Sequence, residues 1–81
     1  MTKTVHLIYY ALLREERGLD AETIETEEKT LQDLYKDLQE KYLFRLPMDL
    51  LKVCVNDEFA VWTDSLRDGD RVIFIPPVSG G

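Results

Sequence analysis

The chain has 81 residues, 44% of them hydrophobic and 32% charged, with a formal net charge of −6. That is one small globular domain with a thin core and little room for an enclosed active site. The acidic balance disfavours nucleic acid and anionic membrane surfaces and favours a basic protein surface as partner.

Val5-His6-Leu7-Ile8-Tyr9-Tyr10 is rich in β-branched and aromatic residues and reads as a first strand. The apolar run from Val5 to Leu13 contains His6 and ends in Arg14-Glu15-Glu16-Arg17. It falls well short of the ~20 residues of a transmembrane helix, so no leader or membrane anchor is expected. Arg14 to Gly18 is charged, ends in glycine and predicts a turn. Glu22-Thr23-Ile24-Glu25-Thr26 is a second strand in a hairpin with the first.

Thr30 is a candidate N-cap, with Asp33 suited to the positive end of a helix. Leu31, Leu34, Tyr35, Leu38 and Tyr42 follow as one apolar stripe, predicting an amphipathic helix over Leu31 to Tyr42 that has ended by Pro47. Leu51-Lys52-Val53-Cys54-Val55 is a third strand, Asn56-Asp57-Glu58 a turn, and Phe59-Ala60-Val61-Trp62 a short fourth strand. Asp68-Gly69-Asp70 is another turn, and Arg71-Val72-Ile73-Phe74-Ile75 is the fifth strand. Pro76 and Pro77 donate no amide hydrogen, so pairing stops there.

A lone helix must bury its stripe across one face of the sheet. A hairpin, a covering helix and three later strands describe a β-grasp, or ubiquitin-like, roll. This is an α+β fold with a mixed sheet, whose first and last strands run parallel as central neighbours. Residues 1–75 make the domain and residues 76–81 an extended tail leaving the middle of the sheet.

A sheet covered on one face should alternate apolar and polar residues. Val5, Leu7, Tyr9, Val72, Phe74, Leu51, Val53 and Val55 can face the helix, yet Ile8, Tyr10, Ile73 and Ile75 then crowd the uncovered face, with Phe59 beside them. An exposed apolar patch of this kind marks a protein interface.

The tail reads Pro76-Pro77-Val78-Ser79-Gly80-Gly81. The prolines stiffen the exit, and the four residues beyond them reach about 13 Å. Gly80 and Gly81 lack Cβ atoms and suit threading into a narrow channel of another protein. The α-carboxylate of Gly81 is a poor electrophile. Activation as a mixed anhydride with AMP, drawn from ATP, would let sulfur attack and leave either a thioester or a thiocarboxylate.

Three stretches carry a resemblance: Tyr10-Ala11-Leu12-Leu13-Arg14-Glu15, Val55-Asn56-Asp57-Glu58, and above all Leu66-Arg67-Asp68-Gly69-Asp70-Arg71-Val72-Ile73-Phe74-Ile75-Pro76-Pro77-Val78-Ser79-Gly80-Gly81. Over nearly its whole length the chain resembles the small, sulfur-carrying subunit of molybdopterin synthase. The resemblance implies a non-catalytic subunit of a heteromeric sulfurtransferase. A ubiquitin-activating-like adenylyltransferase would adenylate Gly81, and a sulfur donor system would convert it to the thiocarboxylate. The tail, Pro77 to Gly81, would then enter the large synthase subunit and give its sulfur to cyclic pyranopterin monophosphate. It further implies a heterotetramer, with Tyr10, Phe59 and Ile75 at the interface. Position 75 often carries an aromatic residue in that family and here is isoleucine. Molybdenum and tungsten both remain open as the final metal.

No cofactor or metal site is expected on this chain, because His6 has no Cys/His/Asp cluster around it. Cys54 is alone, which rules out an internal disulfide and fits the cytoplasm; nothing basic adjoins it, so it reads as small apolar filler. Trp62 and Tyr35 read as packing residues, and Asp68 and Asp70 as turn chemistry rather than a carboxylate dyad. Three other functions stay open on the residues alone: a sulfur carrier for thiazole or cysteine synthesis, a ubiquitin-like modifier of protein lysines, and a plain interaction domain.

Overall fold

The computed structural model describes residues 2–77. Its strands are β1 (Lys3–Tyr9), β2 (Ala21–Thr26), β3 (Lys52–Val55), β4 (Glu58–Ala60) and β5 (Arg71–Ile75), with helices α1 (Ala11–Arg17) and α2 (Leu31–Tyr42) and a 3-10 turn at Met48–Leu50. One sheet runs in the order β2-β1-β5-β3-β4. β1 and β5 are parallel neighbours, with Leu7 opposite Val72 and Tyr9 opposite Phe74. β2, β3 and β4 complete the sheet through antiparallel pairings. This is the expected β-grasp arrangement.

Alternation along the strands builds the core. Val5, Leu7 and Tyr9 of β1, Val53 of β3, and Val72 and Phe74 of β5 are buried against Leu31, Leu34, Tyr35 and Leu38 of α2. Phe74 sits among aromatic neighbours, with ring centroids 5.2 Å from Tyr35 and 6.0 Å from Trp62. Thr30 caps α2 as expected, its hydroxyl accepting the Asp33 amide at 3.3 Å. Tyr35 also donates its hydroxyl to the Leu46 carbonyl at 2.6 Å, tying the helix to the loop after it.

One expected element differs. Arg14 to Gly18 is not a turn but the second half of α1 with its closing glycine, and α1 buries Leu13. Ala-Leu-Leu-Arg-Glu-Glu-Arg consists of strong helix formers, but seven residues are too few to display a helical period. Gly18 closes the helix at φ 80°, donating its amide to the Arg14 carbonyl at 2.8 Å. Several boundaries shift by a residue or more: β1 ends at Tyr9, β3 starts at Lys52, and β4 stops at Ala60 rather than Trp62. The two turn readings hold. Asn56 and Asp57 take positive φ between β3 and β4, and the Asp70 carboxylate accepts from the Asn56 side chain at 3.0 Å and the Arg67 amide at 2.8 Å.

Candidate functional site: the open sheet face and the tail exit

The face of the sheet away from α2 is organised in cross-strand rows. Ala21, Ile8, Ile73, Cys54 and Phe59 are register partners in succession across all five strands. This is an apolar row on the side that should be polar. Ile8, Ile73 and Cys54 are half-buried by their neighbours, and Phe59 at the edge is 77% exposed.

On one side of this row, Thr23, His6 and Arg71 form a polar row. His6 Nδ1 lies 3.0 Å from the Thr23 hydroxyl, and Arg71 pairs with Asp57. On the other side, toward the tail, Ile75 is opposite Lys52. Tyr10 extends the face beyond the end of β1. It is extended (φ −127°, ψ 154°), so the alternation of the strand carries through it, and it is 47% exposed.

Where β5 ends, Tyr10, Ala11, Leu12, Leu46, Ile75, Pro76 and Pro77 line an open apolar groove of about 610 Å³. The structure therefore brings Ile8, Tyr10, Phe59, Ile73 and Ile75 onto one face, and sets Tyr10 and Ile75 beside the proline pair. Val78, Ser79, Gly80 and Gly81 lie outside the described residues. The sequence reading missed Leu12 and Leu46. Leu12 was signalled by the pair Leu12-Leu13, since adjacent residues of a short helix cannot both face the core.

A partly buried polar network holds α1, which supplies Ala11 and Leu12 to this groove. The Glu22 carboxylate on β2 accepts from the Tyr9 hydroxyl at 2.7 Å and from Arg17 Nε and Nη2, each at 2.8 Å. The Arg17 guanidinium also stacks 4.0 Å from the centre of the Tyr42 ring. Arg17 closes α1, so the contact clamps α1 between β2 and α2. Hydrogen bonds from Arg17, only partly opposed by burial, hold the Glu22 carboxyl below its usual range. Burial, reinforced by the neighbouring Glu22 charge, drives the Tyr9 phenol well above its usual range.

A second hollow, between the β3–β4 turn and the loop before β5, is lined by Asn56, Glu58, Asp64, Arg67 and Asp70 among others. Both Asp70 carboxylate oxygens are engaged in turn hydrogen bonds there, so it offers no free acid or base. Among the described residues no His, Cys, Asp and Glu cluster could hold a metal ion, and no helix is long and apolar enough to cross a membrane. The described residues thus form an apolar open face beside Pro76 and Pro77.

Known proteins resemble the chain in sequence and in fold. The chain is 29% identical over 80 residues to the molybdopterin synthase sulfur carrier subunit of Escherichia coli K12, covering 95% of this chain and 99% of that one. The solution structure of the Haloferax volcanii protein HVO 2177 matches with a TM-score of 0.82 at 28% identity, over 99% of this chain and 88% of that chain. A chain in the complex of subunits 1 and 2 of the molybdopterin-converting factor from Helicobacter pylori 26695 matches with a TM-score of 0.64 at 25% identity, over 96% of this chain and 99% of its own. The profile of the ThiS family matches residues 7–81, from the middle of β1 through the diglycine, and the chain belongs to that family.

Proposed function

We propose that this chain is the sulfur carrier subunit of a molybdopterin synthase. The observation that carries the reading is the position of β5. It is the middle strand of the sheet, held on both edges, and it hands the chain to Pro76 and Pro77 at the rim of an apolar face. The near full-length similarity to an E. coli sulfur carrier subunit supports the same reading.

In this mechanism the Gly81 carboxylate attacks the α-phosphate of ATP on an adenylyltransferase, releasing pyrophosphate. A hydrosulfide equivalent from the sulfur donor then attacks the acyl carbon. AMP leaves with the carboxyl oxygen, and the chain ends in a thiocarboxylate. That sulfur, soft and anionic, is donated to cyclic pyranopterin monophosphate inside the large subunit, and two rounds complete the dithiolene. The residues of this chain bind and orient. Ile8, Tyr10, Phe59, Ile73 and Ile75 hold the partner, and Pro77, Val78, Ser79, Gly80 and Gly81 thread its channel. The complex of the two converting-factor subunits from H. pylori supports a heteromeric assembly.

Intact-mass analysis tests the reading. The chain is incubated with ATP, the adenylyltransferase of its own organism and a sulfide source. Exchange of one oxygen for sulfur at Gly81, followed by molybdopterin formation when the large subunit and cyclic pyranopterin monophosphate are added, is the expected result. Loading of sulfur without molybdopterin would move the chain to another sulfur pathway. Covalent conjugates on other proteins would make it a modifier, and no adenylate at all would overturn the carrier reading.

A further inference from the structure

We propose that Lys52 selects the partner: the surface that docks on the open face presents a carboxylate opposite this lysine, set in apolar surroundings. The inference rests on the reading of that face as the docking surface. Lys52 is the register partner of Ile75 and lies two residues from Cys54 on the same side of β3, about 7 Å along the strand. Val61, 60% exposed, lines a shallow hollow together with it. A cation thus stands at the tail end of the apolar face, beside Ile75.

Acidic residues outnumber basic ones by 16 to 10. Arg17, Lys41, Arg45 and Arg71 each pair with a carboxylate, at Glu22, Asp37, Glu16 and Asp57 respectively. Among the described residues Lys52 has no such pair, although Asp49 lines the same hollow, and it is exposed. Lys3, Arg14, Lys29, Lys36 and Arg67 form no ion pair either among the described residues, so it is the place of Lys52 beside Ile75 on the open face that sets it apart. Covering Ile75, Cys54 and Phe59 with an apolar partner would also take the Lys52 ammonium out of water. That step is costly unless a counter-charge is supplied. A partner without a carboxylate at this point is therefore rejected, and one that has it is held in a single register.

Two electrostatic effects then separate by range. The net charge of −6 draws in a partner that is basic overall, which acts on the association rate. Lys52 acts after contact, on the lifetime of the complex.

Kinetic binding of the purified large synthase subunit from the same organism tests this, comparing wild type with Lys52→Met, Lys52→Glu and Ile75→Glu. Lys52 is exposed, so its variants keep the fold, which circular dichroism checks. The expected result is dissociation about fivefold faster for Lys52→Met and more than tenfold faster for Lys52→Glu, with no loss in association rate. Lys52 variants that dissociate like wild type, or more slowly, while Ile75→Glu fails to bind would overturn the role of Lys52 and leave the docking face intact. Wild-type binding by all three variants would overturn both.

Discussion

The contact that closes α1 onto the sheet gives the sharpest stability prediction. Glu22→Gln keeps the shape of the side chain but removes its charge. The Glu22 carboxylate receives three hydrogen bonds, two from Arg17 and one from Tyr9. The side chains of Arg17 and Glu22 are only 24% and 12% exposed, so water replaces little of what is lost. The amide of a glutamine would also turn an N–H toward donors. Hydrogen bonds to charged groups contribute about 1.5–3 kcal/mol, and breaking a buried pair costs about 3–5 kcal/mol. Partial exposure of Arg17 and its retained stacking on Tyr42 bring the expected loss to about 2–3 kcal/mol. In a domain of this size that lowers Tm by roughly 10–20 °C.

Urea unfolding at neutral pH, followed through the single tryptophan, Trp62, measures the loss. Tyr9→Phe removes one hydrogen bond and should cost about 1 kcal/mol alone. It should cost less in the Glu22→Gln background, because the two residues share one contact. The pH dependence has a definite sign. A carboxyl held below its ordinary value of 4.5 stabilises the fold above that pH, and the stabilisation is withdrawn as pH falls below it. The gap between wild type and Glu22→Gln should therefore narrow in acid. A Glu22→Gln loss under about 0.5 kcal/mol at neutral pH, within the range of ordinary surface changes, would refute the clamp.

Alkaline pH should also weaken the fold. The Tyr35 phenol is pushed up to about 12, chiefly by burial and then by the charge of Glu16, and Tyr9 shifts the same way. Both stay neutral when folded, so their stabilisation is intact below pH 10 and is lost as pH rises toward 12. Urea midpoints that stay level between about pH 9 and 11 would contradict this. Leu43→Gly should raise stability by about 0.5–1 kcal/mol, because Leu43 ends α2 in the left-handed region (φ 57°) with its side chain 77% exposed. A lower Tm would show that the leucine packs in a way its exposure does not reveal. Gly69→Ala should cost about 1 kcal/mol through backbone strain alone, since φ is 85° and nothing lies within 4 Å of an added Cβ. A neutral result in thermal melts would mean that the turn relaxes around the new residue.

Most of the sheet was legible because alternation is a short-range signal. Val5, Leu7, Tyr9, Val72 and Phe74 are buried as their parity predicts. The stripe Leu31-Leu34-Tyr35-Leu38 set the bounds of α2, with Thr30 marking its start. The apolar open face could be inferred because Ile8 and Ile73 break the pattern that a half-wet sheet requires. The α1 helix was not legible, since seven residues show no period and a closing glycine looks the same after a turn. The Glu22 network was hidden for a different reason. Tyr9, Arg17, Glu22 and Tyr42 come from four separate elements, and only the β1–β2 register and the docking of α1 bring them together. Lys52 shares the parity of Cys54 and so falls on the open face, but its lack of an ion pair is a fact of three dimensions.

The position of β5 links stability to delivery. Its backbone is laddered to β1 on one edge and β3 on the other, so Arg71–Ile75 cannot fray without breaking two sets of hydrogen bonds. A tail launched from an edge strand would start from a point that opens and closes. Here Pro76 follows a strand paired on both edges, and φ is fixed at the two residues after it. The same centrality accounts for the apolar open face. A strand in the middle of a sheet has its most shielded positions there, which suits the half-buried Ile73 and Ile75. On the proposed reading, strengthening the sheet and launching the tail are one requirement, and the face that would otherwise be a solubility liability lies where the proposed partner covers it.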